Sequence, residues 1–186
     1  MNELTKLLNI AHKQTLYLPV GIAGSGKSTL RECLIRRFPT IKIVSPDEIR
    51  FELLDFKNSK KAFDPEIEPK VWEKAYNQLK VCLNSKEPII FDATNLSYSR
   101  RKSVIDIAKS KQYLIHIHEF FINPTLAYIR TITRGREVPL DVIQSQFNAK
   151  DTIKSEEFDL YTSQYQMPLE EELIEMDARK WVWWQF

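Results

Sequence analysis

Cysteine is scarce in this chain, with 2 residues among 186. They are Cys33 and Cys82; neither belongs to a C-x-x-C pair, and no Cys/His spacing typical of zinc surrounds them. The sequence therefore argues against a disulfide-stapled scaffold or a zinc site. It favours two reduced, buried thiols in a cytoplasmic protein.

Long hydrophobic runs and a strong net charge are also missing. No apolar stretch approaches the roughly 18–20 residues that a membrane-spanning helix needs. The start of the chain is amphipathic and carries Glu3, which is not typical of a secretory signal. The formal net charge is only +2, so the field of the whole chain neither requires nor excludes a nucleic-acid partner. Any basic binding site must be local.

Glycine is rare too, with 4 residues in the whole chain, yet Gly21, Gly24 and Gly26 stand within six positions. Glycine loses more conformational freedom on folding than any other residue, so such crowding indicates a backbone shape that other residues cannot adopt. The stretch from Gly21 to Ser28 matches the pattern G-x-x-x-x-G-K-[ST] in full. The alternative, a chance glycine-rich turn, does not explain why a strand pattern precedes the loop and a helix pattern follows it.

Short β-rich runs alternate with segments of helical periodicity. We predict strands over 15–20, 40–45, 88–92 and 112–121, and helices over 4–11, 27–38, 46–54, 68–85, 97–111 and 140–150, with another that begins at 123–124 and breaks at Gly135 and Pro139. Pro19 indicates that the first strand ends there or lies near an edge at that point. The alternation predicts one α/β domain with a mostly parallel sheet covered on both faces. Ligands of such sheets bind beyond the carboxyl ends of the strands.

The glycine loop has the chemistry of a phosphate cradle. Glycines let several backbone N–H groups point at one anion, and the following helix aims its positive end at the same place. Lys27 would reach the β- and γ-phosphates of ATP, and the Ser28 hydroxyl would coordinate Mg²⁺. The candidate nucleotide-binding residues are Gly21, Ile22, Ala23, Gly24, Ser25, Gly26, Lys27, Ser28 and Thr29.

Asp47 opens the helix after the second strand and is expected to face the same cleft as the glycine loop. A carboxylate there could take the proton from an attacking hydroxyl. The alternative is that Asp47 only caps its helix. Arg50 lies three residues later on the same helix face, and its guanidinium could grip a phosphate next to the acceptor hydroxyl.

Asp92 follows four apolar residues at the end of the third strand, with Thr94 and Asn95 just beyond. An acid in this position could hold Mg²⁺ through water or brace the glycine loop, as in Walker B sites. We expect all three residues near the substrate. The alternative is a strand-end turn held by local side-chain bonds.

A basic segment follows the fourth strand. Arg130 and Arg134 lie one helical turn apart, Arg136 follows, and Gly135 permits a break, so residues of about 124–140 could close over the cleft as a lid. The arginines would then stabilise charge on the transferring phosphoryl group. A solvated basic helix face is the alternative.

The remaining features are less specific. Asn77, Arg100, Arg101 and Lys102 could add to an acceptor groove, with Arg100 or Arg101 favoured, although exposed arginines at a helix start are often only solvated. His116 and His118 share one face of a strand but have no visible third metal ligand. The tryptophan-rich end of the chain, about 168–186, is expected to form a strap on the domain; base stacking and a subunit interface are the alternatives.

From residue 15 to about 147, the sequence resembles the phage-type polynucleotide 5′-kinase family of P-loop phosphotransferases. The resemblance rests on the stretches GIAGSGKST, SPDEIR, DATNLS and IRTITRGREVPLDVI, in this order. The DATN stretch looks one residue longer than the phage pattern, and the lid is a little shorter.

The resemblance implies a three-layer α/β/α P-loop kinase fold, ATP as phosphate donor and the 5′ end of RNA or DNA as acceptor. It implies that Lys27 and Ser28 bind ATP phosphates and metal, and that Asp47 is the general base for the 5′-hydroxyl. Arg50 would hold the neighbouring 3′ phosphate, while Arg130 and Arg134 would engage the donor phosphates. A small-molecule kinase and a non-catalytic ATP-binding regulator remain as alternatives.

Overall fold

The computed structural model describes residues 14–54, 65–135 and 138–169. Five strands form one sheet, β1 (Thr15–Val20), β2 (Lys42–Val44), β3 (Ile89–Phe91), β4 (Leu114–Phe121) and β5 (Leu160–Tyr165). Six α-helices are described, α1 (Lys27–Arg37), α2 (Pro46–Leu53), α3 (Glu68–Leu83), α4 (Tyr98–Lys109), α5 (Pro124–Thr133) and α6 (Leu140–Asn148). The predicted helix over 4–11 and nearly all of the predicted strap lie outside the described residues, as does Arg136.

All described strand pairs are parallel, and the strand order is β2-β3-β1-β4-β5. The alternation of strands and helices predicted this arrangement, because parallel neighbours need a crossover connection. The carboxyl ends of β1, β2 and β3 therefore lie at one edge of the sheet. The glycine loop and Asp92 follow β1 and β3 directly, and Asp47 lies three residues after the end of β2.

Helices cover both faces of the sheet, which gives three layers and confirms the predicted P-loop kinase fold. On one face, α3 and α4 bury Leu79 and Val104 against Leu16 and Leu18 of β1. On the other face, Leu34 of α1 packs against Tyr17, which lies between Leu16 and Leu18 in β1 and points the opposite way. The sheet is buried on both sides because successive side chains of a strand point to opposite faces.

Pro19 does not end β1, which continues to Val20 and pairs with β4 along its whole length. The pairing of β1 with β3 stops earlier, at Tyr17 and Ile90. Beyond that point the carbonyl of Pro19 accepts a hydrogen bond from the Asn95 side-chain amide at 2.8 Å. The missing N–H of Pro19 therefore costs no ladder bond to β3.

The cysteine prediction was half right. Both cysteines are free thiols, but Cys33 is exposed on α1 rather than buried. Cys82 is half-buried on α3, and burial raises the pKa of its thiol. Among the residues that the structure describes, no helix combines the length and the apolar character needed to cross a membrane.

His116 and His118 point to the same face of β4, as the spacing predicted. Both reach the Thr162 hydroxyl on β5, His116 from Nε2 at 3.2 Å and His118 from Nδ1 at 2.6 Å. Burial, with a smaller contribution from the neighbouring His118, lowers the pKa of His116 from 6.5 to about 4. Burial also lowers the pKa of His118.

Because the pKa values of these histidines are lowered in the folded state, we expect the protein to lose stability in mild acid. The unfolded chain takes up a proton at His116 as the pH falls below about 6.5, whereas the folded chain does so only near pH 4. Acid therefore favours the unfolded state, by about 3 kcal/mol over this interval. Urea unfolding at a series of pH values measures the effect, and His116→Gln is the control because glutamine does not titrate. An unchanged slope of stability against pH in that variant would contradict this account.

Candidate active site

The glycine loop connects the carboxyl end of β1 to the start of α1. Gly24 and Gly26 have φ angles of 76° and 105°, in the left-handed region that side chains disfavour. Gly26 is the residue that caps α1. At Gly21 an added Cβ would lie 2.5 Å from the hydroxyl oxygen of Ser25. The predicted need for glycine is therefore confirmed at Gly24 and Gly26 by their backbone angles, while at Gly21 the added Cβ would also lie 3.0 Å from the Cβ of Phe120.

Gly24 offers a direct test of the loop. A Cβ there would lie 2.3 Å from the backbone carbonyl oxygen of Ala127 on α5, a rigid neighbour. Together with the strained φ, Gly24→Ala is expected to cost about 2–4 kcal/mol of unfolding free energy and to weaken nucleotide binding. Gly135→Ala is the matched control, because Gly135 has a similar φ of 68° and no atom of the described residues lies within 4 Å of an added Cβ. It should cost only about 1 kcal/mol. Equal losses in chemical unfolding would show that the contact with Ala127 is unimportant.

Lys27 lies in the first turn of α1 and folds back over the loop. Its ammonium donates to the Ile22 carbonyl at 2.6 Å and lies 3.5 Å from the Ser25 hydroxyl. Ser28 and Thr29 follow and are exposed. The first N–H groups of a helix have no partner within the helix, so this end of α1 suits an anion. The arrangement fits the triphosphate that the motif predicted.

Asp47 lies at the start of α2, but it is not the helix cap. The cap is Ser45, whose side chain accepts a hydrogen bond from the Glu48 N–H at 3.3 Å. The Asp47 side chain is 50% exposed, and its Oδ1 lies 2.5 Å from Nη1 of Arg50. The predicted proximity of Asp47 and Arg50 is thus confirmed, and the capping alternative for Asp47 falls away.

Arg50 has a second partner that the sequence did not reveal. Glu68, the first residue of α3, binds the guanidinium through two contacts, Oε1 to Nε at 2.5 Å and Oε2 to Nη2 at 3.2 Å. Both side chains are only 14% exposed. Burial by itself lowers the pKa of Arg50, but the hydrogen bonds to Glu68 and Asp47 outweigh it and raise the pKa. Arg50 is therefore a fixed cation between two carboxylates.

Asp92 also has an unforeseen partner, Arg31 on α1. Arg31 binds Asp92 at 2.8 Å and Glu48 of α2 at 2.6 Å. Hydrogen bonds to Glu48 and Asp92 raise the pKa of Arg31 against the lowering effect of burial. This cation links the nucleotide side of the cleft to the helix that carries Asp47. Its position one helical turn after Lys27 was the available signal, since it shares a helix face with that residue.

Thr94 and Asn95 hold the start of the glycine loop and the end of β1 through hydrogen bonds. The Thr94 carbonyl accepts a hydrogen bond from the Gly21 N–H at 3.0 Å. Asn95 is buried, has a φ of 50°, and donates its amide to the Pro19, Phe91 and Ala93 carbonyls. The Asn95 amide thus points to backbone groups, and its predicted contact with substrate is untested.

The predicted lid helices pack against the glycine loop. Ile22 shares an apolar cluster with residues of α5 and α6, and Gln146 of α6 accepts the Ala23 N–H at 2.8 Å. α5 ends at Thr133, and Arg134 is its exposed C-terminal cap. The predicted break between the two helices is confirmed.

Arg130 of α5 is directed toward the segment after β5. Its guanidinium donates to the Gln166 side chain at 2.9 Å and to the Met167 carbonyl at 3.1 Å. The Gln166 amide nitrogen would lie 3.4 Å from a Cβ added at Gly26. Arg130 and Gln166 therefore belong to the surroundings of the glycine loop, although Gln166 carried no recognisable sequence signal.

The two arginines at the start of α4 differ sharply. Arg100 is exposed, and its guanidinium carbon lies 4.3 Å from the ring centroid of Trp72. Arg101 is fully buried and binds Glu157 at 2.6 Å. The prediction that Arg101 could serve an acceptor groove is therefore wrong, because no surface of its side chain is accessible. Lys102 is exposed and pairs with Asp106.

A family comparison decides the relationship of this chain. The model of the AAA_33 family, an AAA domain, matches residues 16–151, well over half of the chain. The chain belongs to this family. No curated protein matches the sequence. Membership of the narrower phage-type polynucleotide kinase family stays a prediction.

Solved structures with the same fold include proteins of several kinds. A chain of the Pnkp1/Rnl/Hen1 RNA repair complex is 21% identical with a TM-score of 0.63, over 76% of this chain and 45% of that one. A gluconokinase from Sinorhizobium meliloti 1021 is 18% identical with a TM-score of 0.59, over 91% and 95%. Chaetomium thermophilum Kti12, solved with ADP-AlF3, is 13% identical with a TM-score of 0.59, over 89% and 97%.

These neighbours establish the fold of the AAA_33 domain and no more. The chain spans less than half of the RNA-repair chain that it matches. It is a P-loop nucleotide-binding domain with a kinase-like fold, and the neighbours differ in what they act on.

Proposed function

We propose that this AAA_33 domain is an ATP-dependent phosphotransferase with Asp47 as general base. The position of Asp47 carries the proposal. It follows β2 at the sheet edge that also bears the glycine loop, its carboxylate is half exposed, and Ser45 rather than Asp47 caps the helix. In the reaction, the acceptor hydroxyl oxygen attacks the γ-phosphorus, its proton passes to Asp47, and the bond to the β-phosphate oxygen breaks to release ADP.

The donor side is supplied by the glycine loop and the lid. Backbone N–H groups of the loop other than those of Gly21 and Ala23, which already donate to Thr94 and Gln146, would hold the phosphates. Lys27 would turn from the Ile22 carbonyl to the β- and γ-phosphates. Arg130 and Arg134 would neutralise charge on the transferring group. Ser28 and Asp92 offer the oxygen donors that Mg²⁺ prefers, and Mg²⁺ would supply further charge neutralisation there.

For the acceptor we propose the 5′-hydroxyl of a polynucleotide, RNA or DNA. The motifs that resemble polynucleotide kinases and the structural likeness to the RNA repair chain support this choice. Arg50 beside Asp47 would contact the phosphate 3′ of the reacting nucleotide. Thr94 and Arg100 would lie along the acceptor, and the buried Asn95 would support this stretch through the backbone carbonyls that its amide binds.

A small polyhydroxy acceptor is the second candidate, because one observation favours it. The Arg50 guanidinium is bound by the carboxylates of Glu68 and Asp47. One cation between two carboxylates leaves this cluster with a net negative charge. Such a cluster opposes a phosphate and tolerates a neutral hydroxyl compound. The gluconokinase, which matches over most of both chains, is consistent with this candidate.

One assay separates the candidates. The protein is incubated with γ-labelled ATP and Mg²⁺ together with a 5′-hydroxyl oligonucleotide, a nucleoside 3′-phosphate, gluconate or no acceptor. Label on the oligonucleotide supports the proposed function, and label on gluconate alone supports the second candidate. Labelled phosphate without any labelled acceptor would contradict the assignment as a kinase of either class.

A further inference from the structure

The most informative feature outside the catalytic cluster is the pair formed by Arg100 and Trp72, called here the Arg100–Trp72 pair. We propose that Arg100, braced on the Trp72 ring, binds a backbone phosphate of the acceptor strand. This inference rests on the proposed polynucleotide acceptor and makes Arg100 a specificity-determining residue for it. The substrate class is a strand that continues beyond its first nucleotide.

The position of the pair places Arg100 beside the reacting end. The Trp72 indole N–H lies 3.3 Å from the Glu68 carboxylate, which binds Arg50, which in turn binds Asp47. The same indole ring stacks with Phe91, the residue before Asp92, at a centroid distance of 6.2 Å. The Trp72 ring therefore lies between the proposed catalytic cluster and the exposed Arg100 guanidinium.

The charge of Arg100 is available for a ligand. Arg31, Arg50 and Arg101 are each held by a carboxylate. Within the described residues, Arg100 has no carboxylate partner, and the contact that holds it is the face of the indole. A guanidinium whose face rests on a ring keeps its N–H donors at its own edges, where they can bind phosphate oxygens in a bidentate manner.

The contact with the Trp72 ring also reduces the entropic cost of binding a phosphate. A free arginine loses up to about 2 kcal/mol of rotamer entropy when it is fixed. The indole already holds the Arg100 guanidinium at 4.3 Å from its ring centroid, so much of that cost falls on folding instead of on binding. This is preorganisation in the ordinary sense of interface energetics.

The test measures strand binding directly. Short single-stranded RNA with a 5′-hydroxyl and a 3′ fluorophore is titrated with protein at several salt concentrations. We expect Arg100→Met to raise Kd about 5–10-fold and to flatten the slope of log Kd against log salt by about 0.7, the value for one phosphate contact on a single strand. Lys109→Met is the matched control, since it removes one exposed positive charge from the last turn of the same helix; its Kd should stay within about twofold.

A second variant separates bracing from charge. Trp72→Phe keeps an aromatic ring but loses the indole N–H and weakens the cation–π contact, so we expect Kd to rise with the salt slope nearly unchanged. ATP affinity, measured on the same samples, should be unaffected in all three variants. Lost ATP affinity together with a lowered melting temperature would assign the pair a structural role and overturn the inference.

The remaining outcomes are equally decisive. If the wild-type protein binds and phosphorylates the RNA while Arg100→Met matches it in Kd and salt slope, the inference is wrong and the proposed function stands. If the wild-type protein phosphorylates gluconate and neither binds nor phosphorylates RNA, the proposed acceptor is wrong and the inference fails with it.

Discussion

Asp47→Asn is expected to lower the turnover number for phosphoryl transfer by about 10²–10⁴-fold while ATP binding is retained. Asparagine preserves the shape and the hydrogen-bonding reach toward Arg50, but it cannot accept the acceptor proton at neutral pH. The expected selectivity follows from position, since Asp47 belongs to α2 and not to the glycine loop. The measurement is single-turnover transfer from labelled ATP, with nucleotide affinity determined by calorimetry on the same protein.

Lys27→Ala serves as the contrasting variant. Lys27 lies in the loop itself and is expected to contact the phosphates, so its loss should weaken both ATP binding and transfer. A variant that binds ATP normally but does not turn over is thus expected only on the acceptor side of the cleft. Near-normal turnover of Asp47→Asn would exclude Asp47 as the base, whatever happens in Lys27→Ala.

The second large effect concerns stability. Arg101→Met is expected to lower the unfolding free energy by about 3–5 kcal/mol, because it leaves the buried Glu157 carboxylate without its partner. Arg101 is 0% and Glu157 3% exposed. The guanidinium also binds the Asn95, Leu96 and Thr152 carbonyls, so two stretches of the chain, 95–96 and 152–157, lose a shared hydrogen-bonding partner. Differential scanning calorimetry should show a fall in Tm of about 10 °C or more.

The double variant Arg101→Met/Glu157→Leu provides the control. Removing both charges eliminates the unpaired carboxylate, so this protein should be more stable than Arg101→Met alone. Lys102→Met, which breaks an exposed pair on the same helix, should change stability by less than about 1 kcal/mol. If Arg101→Met unfolded at the wild-type temperature, the buried ion pair could not have the structural role assigned to it.

Local patterns predicted the parts of this domain that depend on neighbouring residues. β1 has its predicted bounds, and β2, β3 and β4 differ from theirs only at the ends. Strand–helix alternation and the G-x-x-x-x-G-K-[ST] loop were sufficient for the parallel sheet and the phosphate cradle. The Asp47–Arg50 contact was predictable because it spans a single helical turn.

Features that depend on distant residues were not predictable in the same way. β5 is polar, exposed and at the sheet edge, so it lacks the apolar alternation by which strands are recognised. The burial of Arg101 is not visible in the sequence, because its partner Glu157 is 56 positions away. Glu68 belongs to no motif, and the position of Arg31 one turn after Lys27 does not reveal its two carboxylate partners. Their roles depend on how α1, α2 and α3 meet at the carboxyl edge of the sheet.

The central claim is that the Asp47 carboxylate prepares an acceptor hydroxyl for attack on a nucleotide held by the glycine loop. A crystal structure with a non-hydrolysable ATP analogue and a 5′-hydroxyl strand tests it most directly. The account predicts the 5′ oxygen within about 2.6–3.2 Å of an Asp47 carboxylate oxygen and in line with the γ-phosphorus. A 5′ oxygen bound to a different base, with the Asp47 carboxylate turned away from the nucleotide, would contradict it.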